Sequence, residues 1–221
     1  MAALTETRHR GGFLVSEAPG TGSRDTITLS NTGGAEATFP AGLVLGKAST
    51  GTATAVAQAG NTGNATISAV TLGPGAQSGR YRVEFLTATT FNLLDPSDNL
   101  LQAGATGTAY SGELGFTVTV GGTPMVAGDG FDITVAVTGE THIPFTGAGA
   151  LGAALATAIL VDAVTVAAAG TKAAAVVARN AEVNWAELKW DAAVDASSTP
   201  TPANLKAAAR GALADRGILA R

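Results

Sequence analysis

The sequence predicts a mainly β protein with minor α content (α+β). The expected architecture is a small mixed core interrupted by an inserted antiparallel β-sandwich, with a flexible N-terminal arm and a short C-terminal helix. Three observations lead there. Glycine fills 29 of 221 positions with no fixed period, so the chain turns often and is not collagen-like. The hydrophobic fraction of 46% is carried by Ala, Val and Leu, with aromatics at only 5%, which suits small-residue β packing. Short polar–apolar alternations also recur between clusters of turn residues.

Residues 1–24 read as an arm. Met1 to Gly12 is polar, Phe13-Leu14-Val15 is a lone apolar triplet, and Pro19-Gly20-Thr21-Gly22 argues against a helix. Two readings of the triplet fit: a segment that orders on a partner, or a terminus whose Phe13 tucks into its own core. Asp25 to Ser30 alternates as a half-buried strand, and Asn31-Thr32-Gly33-Gly34 turns the chain. Pro40 to Lys47 gives a short apolar strand bracketed by glycines.

Thr50 to Asn64 holds almost no large apolar residue and reads as a linker into a separate module. Strand candidates follow at Ala65–Leu72, Arg80–Ala88, Phe91–Leu94, Leu114–Val120 and Phe131–Val137. Tyr81, Val83 and Phe85 fall on one face and Arg82 and Glu84 on the other. Their separators are turns, among them Gly73-Pro74-Gly75, Asp95-Pro96-Ser97-Asp98-Asn99 and Gly128-Asp129-Gly130. Five or six strands at this spacing make a small antiparallel sandwich or barrel.

Beyond Thr141 the chain is Ala-rich. Ala156–Val166 and Lys172–Arg179 fit strands or a helix by periodicity, and the valines tilt the reading toward strands. Ala181–Trp190 reads as one more extended or mixed piece. Thr201 as N-cap, Pro202 at the first helical position and the face Leu205, Ala209, Ala212, Leu213 predict a final helix, with Gly217 as its C′ residue. The resulting divisions are 1–24, 25–52 with 140–221 as a discontinuous core, and 53–139 as the insert.

Charge and chemistry narrow the function classes. Residues 53–138 hold two basic and six acidic residues, which accounts for the whole net charge of −4. No basic stripe of the kind a phosphate backbone requires is present, so no nucleic-acid partner is expected. The polar start of the chain predicts no secretory signal, and the apolar run near Leu151–Val161 is too short to span a bilayer, so no membrane partner is expected. Cysteine is absent, which excludes disulfides and thiolate sites.

Neither His9 nor His142 has neighbours at metal-ligand spacing, and no serine sits in a nucleophile turn. The Asp95–Asn99 stretch lacks the glycine and terminal Glu of a calcium loop, so a capped turn explains it better. No catalytic, cofactor or metal residues are assigned, and the protein is not read as an enzyme. Trp185 and Trp190, the only tryptophans, are candidates for an interface between subunits, and ordinary core positions explain them equally well.

Three segments carry a resemblance: Arg8 to Glu17 with Ser23-Arg24-Asp25, then Pro40 to Lys47, then Ala158 to Val164 continuing through Ala178 to Leu188. In that order they resemble the bacteriophage lambda head decoration protein D family, over roughly residues 1–52 and 140–221. The resemblance implies a homotrimer at three-fold sites of an expanded phage head, cementing it against packaged DNA. Its partner would be the major capsid protein, its place the capsid exterior of the virion, after assembly in the host cytoplasm. It also implies an arm, disordered when free, that binds the capsid by strand addition through Phe13, Leu14, Val15, Ser16, Glu17 and Arg24. The smallest family members lack the insert, which is then expected to project outward. A second function class stays open: an adhesin or carbohydrate-binding module whose insert contacts host surfaces or glycans.

Overall fold

The computed structural model describes residues 9–19 and 22–221. Expectations for 1–8 and for Gly20 and Thr21 therefore lie outside the described residues. The protein is mainly β, with 46% strand and 9% helix. Numbered along the chain, the strands begin with β1 (Leu14–Glu17), β2 (Arg24–Ser30), β3 (Ala37–Phe39) and β4 (Val44–Ala57). Next come β5 (Thr66–Ile67), β6 (Thr71–Leu72), β7 (Gly79–Phe85), β8 (Thr90–Leu94), β9 (Leu100–Ala105), β10 (Ala109–Ser111), β11 (Leu114–Thr119) and β12 (Gly130–Pro144). Last are β13 (Ala156–Leu160), β14 (Val164–Val166), β15 (Thr171–Val177), β16 (Ala181–Val183) and β17 (Ile218–Ala220), with helices α1 (Ala192–Asp195) and α2 (Pro202–Ala214). The chain divides into two compact units. One holds the described residues up to Ala48, then 140–148 and 153–221; the other holds 49–139 and 149–152. Strands β4 and β12 contribute residues to both.

In the first unit β2, β15, β13 and β4 run side by side, each antiparallel to its neighbour. Every residue of β13 is buried. The reason is that both faces of this sheet carry a core. Leu29, Leu45, Leu160 and Val176 pack with Val166 of β14 on one face, where the β3–β14 ribbon lies. Val44, Ile159, Val161 and Val177 pack on the other with Val183, Ile218 and the helices. A strand covered on both faces has no reason to alternate, and β13 reads Ala-Thr-Ala-Ile-Leu with no polar–apolar period.

Helix α2 forms where capping and periodicity place it. Thr201 Oγ1 accepts the Asn204 N–H at 3.4 Å, Pro202 occupies the first turn, and Leu205, Ala209 and Leu213 form the buried face. Past its end Gly217 holds φ +74°, and a Cβ there would sit 2.7 Å from Asn180 Oδ1, so only glycine fits without a shift. This turn feeds β17, which pairs in parallel with β16.

In the second unit β4, β12, β7, β8 and β9 form one sheet, and β11 forms another with β10, β5 and β6. Alternation governs here. Tyr81, Val83 and Phe85 of β7 are buried, while Glu84 faces out. The two sheets share one core rich in rings: Phe91 lies 5.6 Å from Phe85 and 6.0 Å from Phe116, which stacks on Tyr110 at 5.0 Å.

Several expectations need correction. The first half of the stretch read as a linker is strand, because β4 continues to Ala57. Its Ala53 and Ala55 turn inward while Thr52, Thr54 and Val56 face out, so backbone pairing and β-branched residues sustain a strand without large apolar side chains. Strands β9 and β10 and helix α1 went unforeseen, and the single strand expected over Ala65–Leu72 is two short ones, each pairing with β11.

Candidate functional site

The leader is built around Phe13. Gly11 donates its N–H to the Val161 carbonyl at 3.1 Å, and Arg10 pairs with Asp162 at 3.1 Å. These contacts deliver the Phe13 ring into the first unit's core, where it is 2% exposed. Leu14 packs partly against the same core. Strand β1 then runs antiparallel to β16, with an irregularity between Leu14 and Ser16 that leaves Val15 57% exposed. Ser23, fully buried, closes the loop: its hydroxyl donates to the Asn180 carbonyl at 2.9 Å and accepts the Ala18 N–H at 2.8 Å.

Two residues expected in the capsid-binding arm meet each other. Arg24 Nε and Nη2 each lie 2.8 Å from a Glu17 carboxylate oxygen, a bidentate fork that ties the end of β1 to the start of β2. The Arg24 hydrogen bond holds the Glu17 carboxyl below its ordinary range, and Glu17 in turn raises the guanidinium. Ser16 stands opposite Glu182 in the β1–β16 register.

The expectation that the leader lacks structure on its own is therefore corrected for residues 9–19 and 22–24. Burying a phenylalanine side chain is worth roughly 1.5–3 kcal/mol, and the protein's own core offers that burial without waiting for a partner. The geometry leaves one edge of this region free. In the sheet β1-β16-β17 strand β1 is an outer strand, so one of its backbone edges has no strand beside it among the described residues.

Trp185 and Trp190 come together. Their rings meet edge to face at 5.2 Å, and Phe145 touches Trp190 at 6.3 Å. Lys206 Nζ sits 5.5 Å from the Trp190 ring and the Arg210 guanidinium 5.6 Å from the Trp185 ring. Both tryptophans are half-buried at the margin of the first unit's core. Sequence reading missed the two cations. Their spacing of four on α2 was the available signal, since it places them on one helical face.

Five of the six acidic residues of the second unit, all but the exposed Glu84, have partners among the described residues. Asp95 accepts N–H bonds from Ser97 and Asn99, capping its turn. Asp129 accepts three, from Thr62, Gly63 and Val126, and these bonds hold its carboxyl below the ordinary range. Asp132 pairs with Arg80 and Gln58, and Glu113 accepts the Tyr81 hydroxyl. No group of three or more metal-ligating side chains forms among the described residues. The six rings available to stack on a sugar, Tyr81, Phe85, Phe91, Tyr110, Phe116 and Phe131, are all buried. No helix among the described residues is long and apolar enough to cross a membrane.

Comparison with known proteins gives one broad match. The family model described as bacteriophage lambda head decoration protein D matches residues 3–92 and 103–218. The match extends through most of the second unit, beyond the segments in which the resemblance was read. No curated protein matches the chain. Two crystal structures of Xanthomonas campestris FlgL, in space groups H3 and C2, resemble part of it at TM-score 0.34 with 20% and 21% identity. In each case 45% of this chain and 33% of the other is covered, so the chain spans about a third of their length, and a likeness this slight carries no argument.

Proposed function

The chain belongs to the bacteriophage lambda head decoration protein D family, and from that premise we propose that it cements an expanded phage head as a homotrimer seated at three-fold sites. Membership makes it a phage head decoration protein located on the virion capsid, in a family that is structural rather than enzymatic. The trimer, the stabilisation against packaged DNA, assembly in the host cytoplasm and the contacting residues are proposed.

The observation that carries the reading is the outer position of β1. Phe13 and Leu14 anchor the strand, the Glu17–Arg24 fork fixes its far end, and Val15 remains exposed between them. A strand of the major capsid protein can add to the free edge through backbone hydrogen bonds, with Val15 and Ser16 setting register. Phe13 then acts as the internal anchor of the docking strand. Three copies would add their affinities through avidity. For the contact between copies the Trp185–Trp190 pair with Lys206 and Arg210 is the proposed surface, since half-exposed aromatics flanked by cations are favoured at interfaces. Residues 53–139 are read as the insert, carried outward. No observation favours a sugar-binding role for it.

The test is binding to purified heads before and after expansion, with light scattering on the free protein. The reading expects a trimer that binds expanded heads only. Val15→Lys places a charge on an exposed edge position, a substitution that blocks edge pairing at little cost to the fold. Binding should fall by at least about tenfold while the melting temperature stays unchanged, a loss on the order of 1.4 kcal/mol. Undiminished binding by this variant would remove β1 from the mechanism.

A further inference from the structure

Six charged or titratable side chains of the first unit surround a cavity of about 200 Å³. Asp25 comes from β2, Lys47 from β4, Glu140 and His142 from β12, Arg179 from the bend after β15, and Arg216 from the turn after α2. Both carboxylates are already matched. Lys47 Nζ reaches Glu140 Oε1 at 2.5 Å, and Arg179 Nη2 reaches Asp25 Oδ2 at 3.4 Å. Arg216 has no ion pair among the described residues, and His142 lies within its field. With the imidazole neutral, three cations face two carboxylates. The cavity keeps one uncompensated positive charge in a protein whose net charge is −4.

We propose that this cavity binds a small oxyanion, a phosphate or a carboxylate group, held by the Arg216 guanidinium with His142 as the second donor. Guanidinium presents a planar fork that matches two oxygens of either group, which a lone ammonium does not. The volume suits one such group with a few waters and falls below the 300–1,000 Å³ typical of drug-sized ligands. Burial drives the His142 pKa below its ordinary value, and Lys47 and Arg216 push in the same direction, against Glu140 and Asp25. A bound anion reverses that balance by stabilising the imidazolium, so affinity should rise as the imidazole gains its proton. The site depends neither on the family assignment nor on the docking strand.

The chain has two histidines, which makes His142 its own reporter. The full-length protein is titrated with inorganic phosphate and separately with acetate, against chloride at equal ionic strength, while the imidazole resonances of His9 and His142 are followed by NMR. The proposal expects a saturable shift of His142 but not His9, absent in chloride, with the His142 pKa raised by the saturating anion. In Arg216→Gln the same shift should need about tenfold more anion, as loss of one charge-assisted hydrogen bond implies. Saturation by phosphate alone or by acetate alone assigns the group. Non-saturating shifts, equal shifts in chloride, or an unaltered titration in Arg216→Gln would overturn the site, with circular dichroism establishing that the variant is folded.

Discussion

The two units solve the same problem with different materials. The second unit buries rings: Tyr81, Phe85, Phe91, Tyr110, Phe116 and Phe131 fill one core shared by two sheets. The first unit buries mainly aliphatic residues on both faces of its central sheet, and keeps four of its five aromatics, Phe13, Phe145 and the tryptophan pair, on the side toward α2, with Phe39 half-buried on the other. A one-sided sheet needs large side chains to fill the gap to its partner. A sheet covered on both faces reaches close packing with Val, Ile and Ala, because every residue then contributes. Low aromatic content in a whole chain thus conceals an unequal distribution.

The fluorophores make this contrast measurable, since both tryptophans belong to the first unit and both tyrosines to the second. The largest effect is expected from Phe91→Ala, which removes the ring at the centre of the aromatic cluster and should cost about 3–5 kcal/mol. Urea unfolding followed by tyrosine near-ultraviolet dichroism should lose that much. An equal loss in the tryptophan signal would erase the distinction between the units. Phe13→Ala should cost the first unit nearly as much, about 3 kcal/mol, read by tryptophan fluorescence. An effect under about 0.5 kcal/mol, the range of ordinary surface substitutions, would return the leader to the status of an unanchored arm.

Smaller effects sharpen the comparison. Thr201→Ala deletes the cap of α2, and with a bond as long as 3.4 Å the loss should be about 0.5–1 kcal/mol, confined to the tryptophan signal. At neutral pH the least visible difference concerns Tyr81. Burial first, and the neighbouring Glu113 after it, raise its pKa from 10.0 to about 12, while the Gln77 N–H opposes them. The folded pKa lies above the unfolded one, so the stabilisation is complete below pH 10 and disappears as pH rises toward 12. Phenolate absorbance should appear together with loss of the second unit's dichroism, in a range where the first unit, having no tyrosine, keeps its tryptophan emission.

Legibility followed the same division. In the second unit alternation marked β7, β8, β11 and the first part of β12 almost residue by residue, because one face is buried and the other wet. It failed at β9, whose Leu100, Leu101, Gln102, Ala103, Gly104 run is largely exposed and follows no period. In the first unit the valines tilted Ala156–Val166 and Lys172–Arg179 toward strands, where β13, β14 and β15 lie, and α2 was readable from Thr201, Pro202 and its apolar face. At the candidate site the important residues were legible as types but not as partners. Nothing local to Glu17 and Arg24 announces a fork, and the Lys206 and Arg210 contacts with tryptophans depend on where α2 docks.

By itself the sequence determined the β class, the turn positions, the final helix, the concentration of negative charge in residues 53–138 and the likeness to a capsid-decorating family. Each of these resides in composition or in short-range order, which tertiary contacts do not rewrite. Only the tertiary structure decided that Phe13 is core, that Thr52 and Thr54 extend a strand, and that Lys47, His142, Arg179 and Arg216 converge on one cavity. Those outcomes turn on which of several available burials or pairings is lowest in free energy, and residues far apart in the chain settle that choice.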